Sequence, residues 1–451
     1  MSGEQPLAGI CWPAITLGDR HPLADLHQQL CHWEYADAAH LQAGQAQQLE
    51  ALGRHLGQHC DFHRRRLLSA GIAPDQPLTL ARLRQLPPLT RRHVQAAGPD
   101  LFSQFVPPSH LPLGETRTSG SSGEPVVVHR TQVNQLFWLA CTLRGHHWWR
   151  SHASDCLAVV RANLPQPHIH QENWGAPLSL LYATGPLHGF SMSLDTATLA
   201  AELSAAAPQY LLIYPTALRD LLRHFRQHGG SLPSLKQIRT LGETLSDDLR
   251  HEASAFFAVE LFDSYSSQEL GVIALQCPVS GLYHVMAEHV LVEVLDADGQ
   301  PCGPGECGEV VVTDLHNFAT PLIRYAIGDH AEVGPACPCA RSLPTLRRIL
   351  GRSRNMLLYP DGSRRWPRVG FDRYREVAPV QQYQLIQHSR EQLEVRLVVE
   401  RPLQPCEQRA LGEIITQALG HPFVLDFRYF AERLPLGPGG KFEEFVSLCH
   451  D

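Results

Sequence analysis

Tyr210-Leu211-Leu212-Ile213-Tyr214-Pro215-Thr216 opens the stretch, running to Glu269, from which the fold follows. Its apolar run has the length of a short strand. Pro215 then starts a helix through Ala217, Leu218, Leu221, Leu222 and Phe225, which stops at Gly229-Gly230; proline is pre-organised for the first helical position and glycine for the stop. Gln237-Ile238-Arg239-Thr240-Leu241 reads as a second strand, Ser246 to Phe257 as a helix, and the segment around Val259-Glu260-Leu261-Phe262 as a third strand. Strand-helix-strand-helix-strand predicts a parallel sheet with covering helices. Ligands of such sheets bind beyond the carboxyl ends of the strands. The residues expected there are Tyr214-Pro215-Thr216, Gly242-Glu243-Thr244 and Ser264-Tyr265-Ser266-Ser267-Gln268-Glu269, polar at every predicted mouth.

Upstream, Leu49, Leu52, Leu56, Phe62 and Leu67 recur at near-helical spacing, so Gln45 to Gly71 reads as one amphipathic helix. Residues 107–125 are rich in Pro, Gly, Ser and Thr and feed the β-branched run Val126-Val127-Val128, a loop entering a strand. Downstream the pattern changes to strands joined by turns: His289 to Leu295, a turn at Asp296-Ala297-Asp298-Gly299, then Glu309 to Thr313. Gly303, Gly305 and Gly308 match a GxGxxG string, but a strand follows where a dinucleotide site needs a helix, so the hairpin reading stands. Beyond Gly351-Arg352-Ser353-Arg354-Asn355 the chain reads as a separate α+β unit, with strands over Gln382–Gln387, Leu393–Val399 and Val424–Phe430 and a helix over Glu407–Leu419. The expected fold is therefore α/β: a large N-terminal domain, residues 1–352, with parallel βαβ units plus a strand-rich subdomain, and a small α+β C-terminal domain, residues 353–451.

The chain has 451 residues, 43% hydrophobic and 18% charged, which excludes a disordered or fibrous protein. Lys and Arg number 38 against 45 Asp and Glu, a formal charge of -7. That balance lacks the basic footprint of nucleic-acid binding. No window approaches the ~18 uninterrupted apolar residues of a membrane span. The opening Met1-Ser-Gly-Glu-Gln lacks the basic and apolar regions of a secretion signal, so a cytoplasmic location is expected.

Twelve cysteines over this length are too sparse for a disulfide scaffold, which leaves clustered ones as metal or catalytic candidates. Cys277 and His284 stand seven positions apart, and Cys337-Pro338-Cys339 follows downstream. Three thiolates and an imidazole are the donor set of a closed structural zinc site, with no open position for substrate. One structural Zn²⁺ is expected there. The other histidines, of 26 in all, lie singly or in tracts such as His146-His147 and His168-Ile169-His170, and read as ordinary surface or satisfied core.

Thr118-Ser119-Gly120-Ser121-Ser122-Gly123-Glu124-Pro125 concentrates hydroxyls and glycines. Glycines let backbone N–H groups turn toward an anion and hydroxyls add donors, which suits a triphosphate. It is not a Walker A loop, since no Lys-Ser/Thr follows the last glycine. The segment resembles the signature loop of the adenylate-forming superfamily of acyl- and aryl-CoA synthetases. Later segments resemble that family's motifs in the same order: Leu241-Gly242-Glu243-Thr244, Tyr265-Ser266-Ser267-Gln268-Glu269, Pro321 to Gly328-Asp329, Gly351-Arg352 at the hinge, and Pro438-Gly439-Gly440-Lys441. The spelling Pro321-Leu322-Ile323-Arg324-Tyr325 is most similar to the phenylacetate-CoA ligase branch.

The resemblance implies ATP-dependent activation of a carboxylic acid to an acyl-adenylate, followed by transfer to a thiol, CoA first among the acceptors. It implies that Thr118, Ser119, Gly120, Ser121, Ser122 and Gly123 cradle the phosphates. Glu269 would hold Mg²⁺, and Gly242, Glu243 and Thr244 would flank adenine, with Tyr265 and Ser266 beside it. Asp329 and Arg352 would bind the ribose. Lys441, on a small mobile C-terminal domain, would bridge the carboxylate and the α-phosphate. Trp148-Trp149, Trp174 and the Tyr182–Phe190 stretch would line an aromatic or bulky hydrophobic acid pocket. Glu124, Ser266, Gln268 and Asn355 depart from the family's usual Lys, Gly, Ser or Thr, and Asp. A carrier-protein phosphopantetheine or an amine remains open as acceptor, as do a homodimeric assembly and a degenerate nucleotide-binding scaffold that kept the fold without the activity.

Overall fold

The computed structural model describes residues 5–17, 21–118, 125–162, 164–352, 355–367, 371–431, 434–435 and 442–449. They fall into two compact units, the larger up to Ile349 and the smaller from Leu350 onward.

After a short antiparallel pairing of Gln5–Pro6 with Thr16–Leu17, the larger unit has helices α1 (Pro22–Trp33), α2 (Ala38–His59), α3 (Asp61–Ser69) and α4 (Arg91–Ala97). A hairpin follows, β1 (Gly114–Thr118) and β2 (Val126–Arg130), and then helix α5 (Gln132–Trp148). The α/β core comprises β3 (Leu157–Arg161), β4 (His168–Gln171), β5 (Leu187–Ser191), α6 (Thr196–Ala206), β6 (Tyr210–Ile213), α7 (Pro215–His228), β7 (Gln237–Leu241), α8 (Asp247–Phe257) and β8 (Glu260–Ser267). Strands β9 (Gly271–Gln276), β10 (Tyr283–Val285), β11 (Val290–Leu295), β12 (Cys307–Asp314), β13 (Tyr325–Val333) and β14 (Thr345–Arg352) complete it.

Twelve of these strands share one mixed sheet in the order β11-β12-β13-β14-β10-β9-β8-β7-β6-β3-β5-β4. The predicted parallel set is present: β6, β7 and β8 run side by side with Ile213 opposite Thr240 and Ser264 opposite Leu241. Leu218, Leu221, Leu222 and Phe225 of α7 and Leu249, Ala253 and Phe257 of α8 bury against Leu211, Ile213, Ile238 and Leu261 on one face. Phe137, Ala140, Cys141 and Trp148 of α5 belong to the core on the other. Beyond Ser267 the sheet turns antiparallel, β8 pairing with β9 through a bulge between Tyr265 and Ser266. The third strand thus extends well past Phe262, because its far half is held by β9 rather than by a parallel neighbour. The hairpin β11–β12 pairs Val290 with Asp314 and Leu295 with Glu309, so the GxGxxG string is part of a strand connection.

The single helix expected over Gln45 to Gly71 is two. Cys60 is extended (φ -129°, ψ 92°), and the tertiary partners of the break are Gln104, whose N–H bonds the His59 carbonyl, and Ser103, whose hydroxyl meets the Cys60 thiol. Helices α2 and α3 also hold the Phe318–Ile323 segment. His55 Nε2 donates to the Phe318 carbonyl at 2.9 Å, His63 Nε2 to the Pro321 carbonyl at 2.7 Å, and Arg66 to the Ile323 carbonyl. A charge cluster centred on a buried arginine ties α1 to α5. Arg144 forks onto both oxygens of Glu288, and its Nε lies 3.3 Å from Glu34, which also meets Arg341 and the Trp148 indole.

The smaller unit is a four-stranded sheet of β15 (Val380–Gln387), β16 (Gln392–Val399), β17 (Val424–Phe430) and β18 (Phe445–Ser447), in the order β17-β16-β15-β18. Helix α9 (Pro405–Leu419) buries Leu411, Ile415 and Leu419 against Leu385, Leu393, Val395 and Leu397. Strand β18 was not anticipated; three residues carry too little pattern to read. Among the described residues no helix is long and apolar enough to cross a membrane.

Burial lowers His55 to about 4 and His63 to about 3, from an ordinary 6.5, so both are neutral in the folded protein. The unfolded chain binds those protons first. The stability they confer is complete above pH 6.5 and is lost as pH falls toward their folded values, by roughly 5 kcal/mol for the pair by pH 4.5. Urea midpoints measured from pH 7.5 to 4.5 should fall steeply, and His63→Gln should flatten that slope by about half; a pH-independent midpoint would contradict it.

Candidate active site

The predicted mouth of the parallel strands is built by backbone geometry first. Gly242 leaves β7 at φ +76°, a conformation other residues avoid, and turns Glu243 back toward the start of α7. There Glu243 Oε2 accepts the Thr216 N–H at 2.9 Å and the Thr216 hydroxyl at 2.7 Å. A carboxylate at a helix N-terminus satisfies an orphan donor and meets the positive end of the dipole. Thr244 is exposed beside them.

At the next strand end, the bulge in β8 re-aims the side chains where the sheet changes from parallel to antiparallel. Tyr265 is buried, and its hydroxyl donates to Asp329 Oδ2 at 2.9 Å, joining two motifs 64 positions apart. Asp329 follows Gly328, which takes φ +84° within β13. Ser266 is half-buried in the bulge. In the turn after β8, Glu269 is a tenth exposed and lies 3.5 Å from Arg91 Nη1. Arg91 Nη2 also donates to the Thr118 hydroxyl at 3.1 Å and to its carbonyl at 3.3 Å. Arg130 donates to the Gln268 carbonyl in that turn. Thr118 and Glu269 therefore meet through Arg91, and Tyr265 and Asp329 meet at the end of the strand that leads into the Glu269 turn. Thr118 is opposite Val126, so the two ends of the Ser/Gly-rich segment are held at hairpin spacing.

Ser119, Gly120, Ser121, Ser122, Gly123, Glu124 and Lys441 lie outside the described residues. Arg352 is exposed at the end of β14. The sequence reading missed Arg91 and Arg130, two cations flanking the Glu269 turn. One opens a polar helix and the other ends a strand, with no motif around either. Trp148, Trp149 and Trp174 are core residues, Trp149 stacking on Phe262 at 5.4 Å, while Tyr182 is exposed.

The cysteine set also comes together. One ligand atom from each of Cys277, His284, Cys337 and Cys339 lies within 4.8 Å of the others. His284 Nε2 is 3.2 Å from Cys339 Sγ, Cys337 Sγ is 3.7 Å from Cys277 Sγ, and His284 Nδ1 faces the Leu343 carbonyl at 3.3 Å. Burial holds His284 at about 4, leaving a neutral imidazole. Burial and the neighbouring thiols raise Cys339 to about 11, whereas at Cys277 burial is outweighed by the N–H groups of Ser280 and Val279, which lower it. Thiols this close resist joint ionisation, and a cation among them would relieve the conflict. The donor set could hold a four-coordinate ion, with the backbone fixing the imidazole tautomer.

Comparison with known proteins agrees with this arrangement. The AMP-binding enzyme family matches residues 116–319. The phenylacetate-coenzyme A ligase of Escherichia coli (strain K12) is 27% identical over 338 residues, 72% of this chain and 74% of that protein. That of Thermus thermophilus is 26% identical over 337, covering 70% and 72%. In fold, the chain is similar to a crystal structure of 2-hydroxyisobutyryl-CoA ligase in the postadenylation state, with a TM-score of 0.75 at 17% identity over 97% of this chain and 96% of that one. With these motifs gathered at the strand ends of such a sheet, the chain is similar to adenylate-forming enzymes, and its curated relatives fall in the phenylacetate-CoA ligase branch.

Proposed function

We propose that the protein activates a carboxylic acid with ATP and transfers the acyl group to the thiol of CoA. A carboxylate is a poor electrophile. Its oxygen attacks the α-phosphorus, pyrophosphate leaves, and the acyl-adenylate then yields its acyl group to a sulfur nucleophile as AMP departs. Little covalent work falls to the protein; positioning and charge stabilisation dominate. The observation that supports this reading most is the side-chain chain Thr118–Arg91–Glu269 beside the Tyr265–Asp329 bond, which sets a cation, a hydroxyl and two carboxylates of separate motifs in one region.

In this reading Asp329 receives the ribose hydroxyls, held in place by the Tyr265 hydroxyl, and Arg352 reaches the same sugar. Gly242, Glu243, Thr244 and Ser266 border the adenine. Thr118 anchors the phosphate-binding segment Ser119 to Gly123. Arg91 and Arg130 add positive charge next to the phosphates. Glu269 supplies the oxygen that would hold Mg²⁺, a hard cation that screens the phosphate charge. Lys441 carries the ammonium that offsets negative charge building between carboxylate and α-phosphate. The acid is an aromatic or bulky hydrophobic one, as the names of the ligases it resembles suggest. Cys277, His284, Cys337 and Cys339 hold a structural Zn²⁺ away from the chemistry.

Carboxylate-dependent ATP–pyrophosphate exchange, screened over an acid panel, tests the whole reading. Aromatic acids should support the fastest exchange, and Lys441→Ala should lower it about 100-fold or more. No exchange with any acid, with Lys441→Ala unchanged, would leave only a scaffold. Asp329→Asn should lower kcat/KM for ATP by about 10- to 100-fold, and Tyr265→Phe by about 5-fold, in keeping with charged and neutral hydrogen bonds. Equal effects on unfolding midpoints would instead mark both as structural. Replacing Cys337 and Cys339 by serine should remove one zinc per chain by elemental analysis; unchanged zinc would reject that site.

A further inference from the structure

Every histidine outside the cysteine set was expected to be ordinary, yet two of them meet a carboxylate in the core. His289 lies between β10 and β11, Asp314 ends β12, and His316 follows two residues on; none exceeds 1% exposure. One ligand atom from each lies within 4.8 Å of the others. Both rings are oriented the same way. His289 Nε2 donates to the Leu270 carbonyl at 2.9 Å and His316 Nε2 to the Trp12 carbonyl at 3.0 Å, which leaves each Nδ1 with a lone pair. Among the described residues neither Nδ1 has a hydrogen-bond partner. Phe137 stacks on His316 at 3.9 Å and on His289 at 5.1 Å, holding both planes.

Asp314 completes the set. Its Oδ1 accepts the N–H groups of His316 and Asn317 at 2.9 and 3.2 Å, and its Oδ2 accepts the Asn134 amide at 3.2 Å. Among the described residues no Lys or Arg lies within ion-pair distance of it, and Arg130 acts on its charge from farther off. Three acceptors thus face one another in the dry interior, with the His289 carbonyl beside the His316 ring as a further oxygen. An unsatisfied buried acceptor is costly, and an unpaired carboxylate more so. Neutral imidazoles pinned by carbonyls through the far nitrogen are the usual outer shell of metal-bound histidine.

We propose that His289, Asp314 and His316 form a second, thiolate-free site for a divalent transition metal, buried behind the turn that carries Glu269, with Zn²⁺ the ion it fits. Two nitrogens and one oxygen are too nitrogen-rich for Mg²⁺ or Ca²⁺ and suit a borderline cation. The site is structural, since no substrate reaches it. It locks the end of β12 to Leu270, the residue after Glu269, and so positions the turn without touching the reacting atoms.

The test is the full chain produced with zinc supplied during expression, so that a buried site fills as the protein folds, and purified without chelator. Elemental analysis should find about two zincs per chain, and zinc-edge X-ray absorption should find about 1.5 sulfurs per zinc, three thiolates shared by two ions. The Cys337→Ser/Cys339→Ser variant should keep one zinc whose shell lacks the full thiolate set. His316→Asn should lose one zinc and bring the sulfur average to about three. Folded wild-type protein whose zinc is all bound by three sulfurs, at one per chain, overturns the proposal whether or not the variants fold. A water or a proton on Asp314 would then occupy the cluster.

Discussion

The guanidinium of Arg144 is the constraint around which the larger unit is organised. It is fully buried, forks onto Glu288, and reaches Glu34, which in turn takes Arg341 and the Trp148 indole. Two cations and two carboxylates balance. Removing one member would strand a buried charge at about 3–5 kcal/mol, whereas an apolar replacement of the whole cluster can be neutral. The value of the cluster is therefore in arrangement. It allows one docking of α1 on α5 and one position for the Met286–His289 turn, and Trp148 carries that order to His284, 5.6 Å away.

That turn matters because the site depends on β8, the strand where the sheet changes sense. Its first half is set by parallel β7 and its second by antiparallel β9. Tyr265 falls at the junction, and Glu269 in the turn beyond. A bulge at such a junction re-aims the side chains of the strand and of the turn that follows it without breaking the sheet. Arg91 and Arg130 then grip the turn from outside the sheet, one at Glu269 and the other at the Gln268 carbonyl. An anionic nucleotide would meet cations already fixed by protein contacts, so little reorganisation is needed on binding.

The parallel core was legible because its signals are local: proline at a helix start, paired glycines at its end, apolar runs of strand length. The break at Cys60 was not, since its partners Ser103 and Gln104 are more than 40 positions away. The cysteine set could be read because thiolates two apart are rare outside metal sites. His289 and His316 lack such a spacing, and only the antiparallel register of β11 with β12, Val290 opposite Asp314, brings them together. Arg91 and Arg130 carry no chemistry a surface arginine lacks; their meaning comes from what packs beside them.

The Pro321–Asp329 segment divides by the direction its side chains take. Arg324 sits at φ +50°, a strained conformation for any residue with a Cβ, of order 1–3 kcal/mol. It is held by a buried pair with Glu293 and by donation to the Arg84 and Leu86 carbonyls, while His63 grips Pro321. Every one of those partners is protein. Five residues later Asp329 bonds the Tyr265 hydroxyl at the strand ends. The motif is thus a rigid root and a turned tip: tertiary contacts sustain the strain at Arg324, and Gly328 at φ +84° turns the Asp329 carboxylate to the Tyr265 hydroxyl. Pro321 and Arg324 are thus committed to contacts that root the segment, while Asp329 is committed to the strand end of β8.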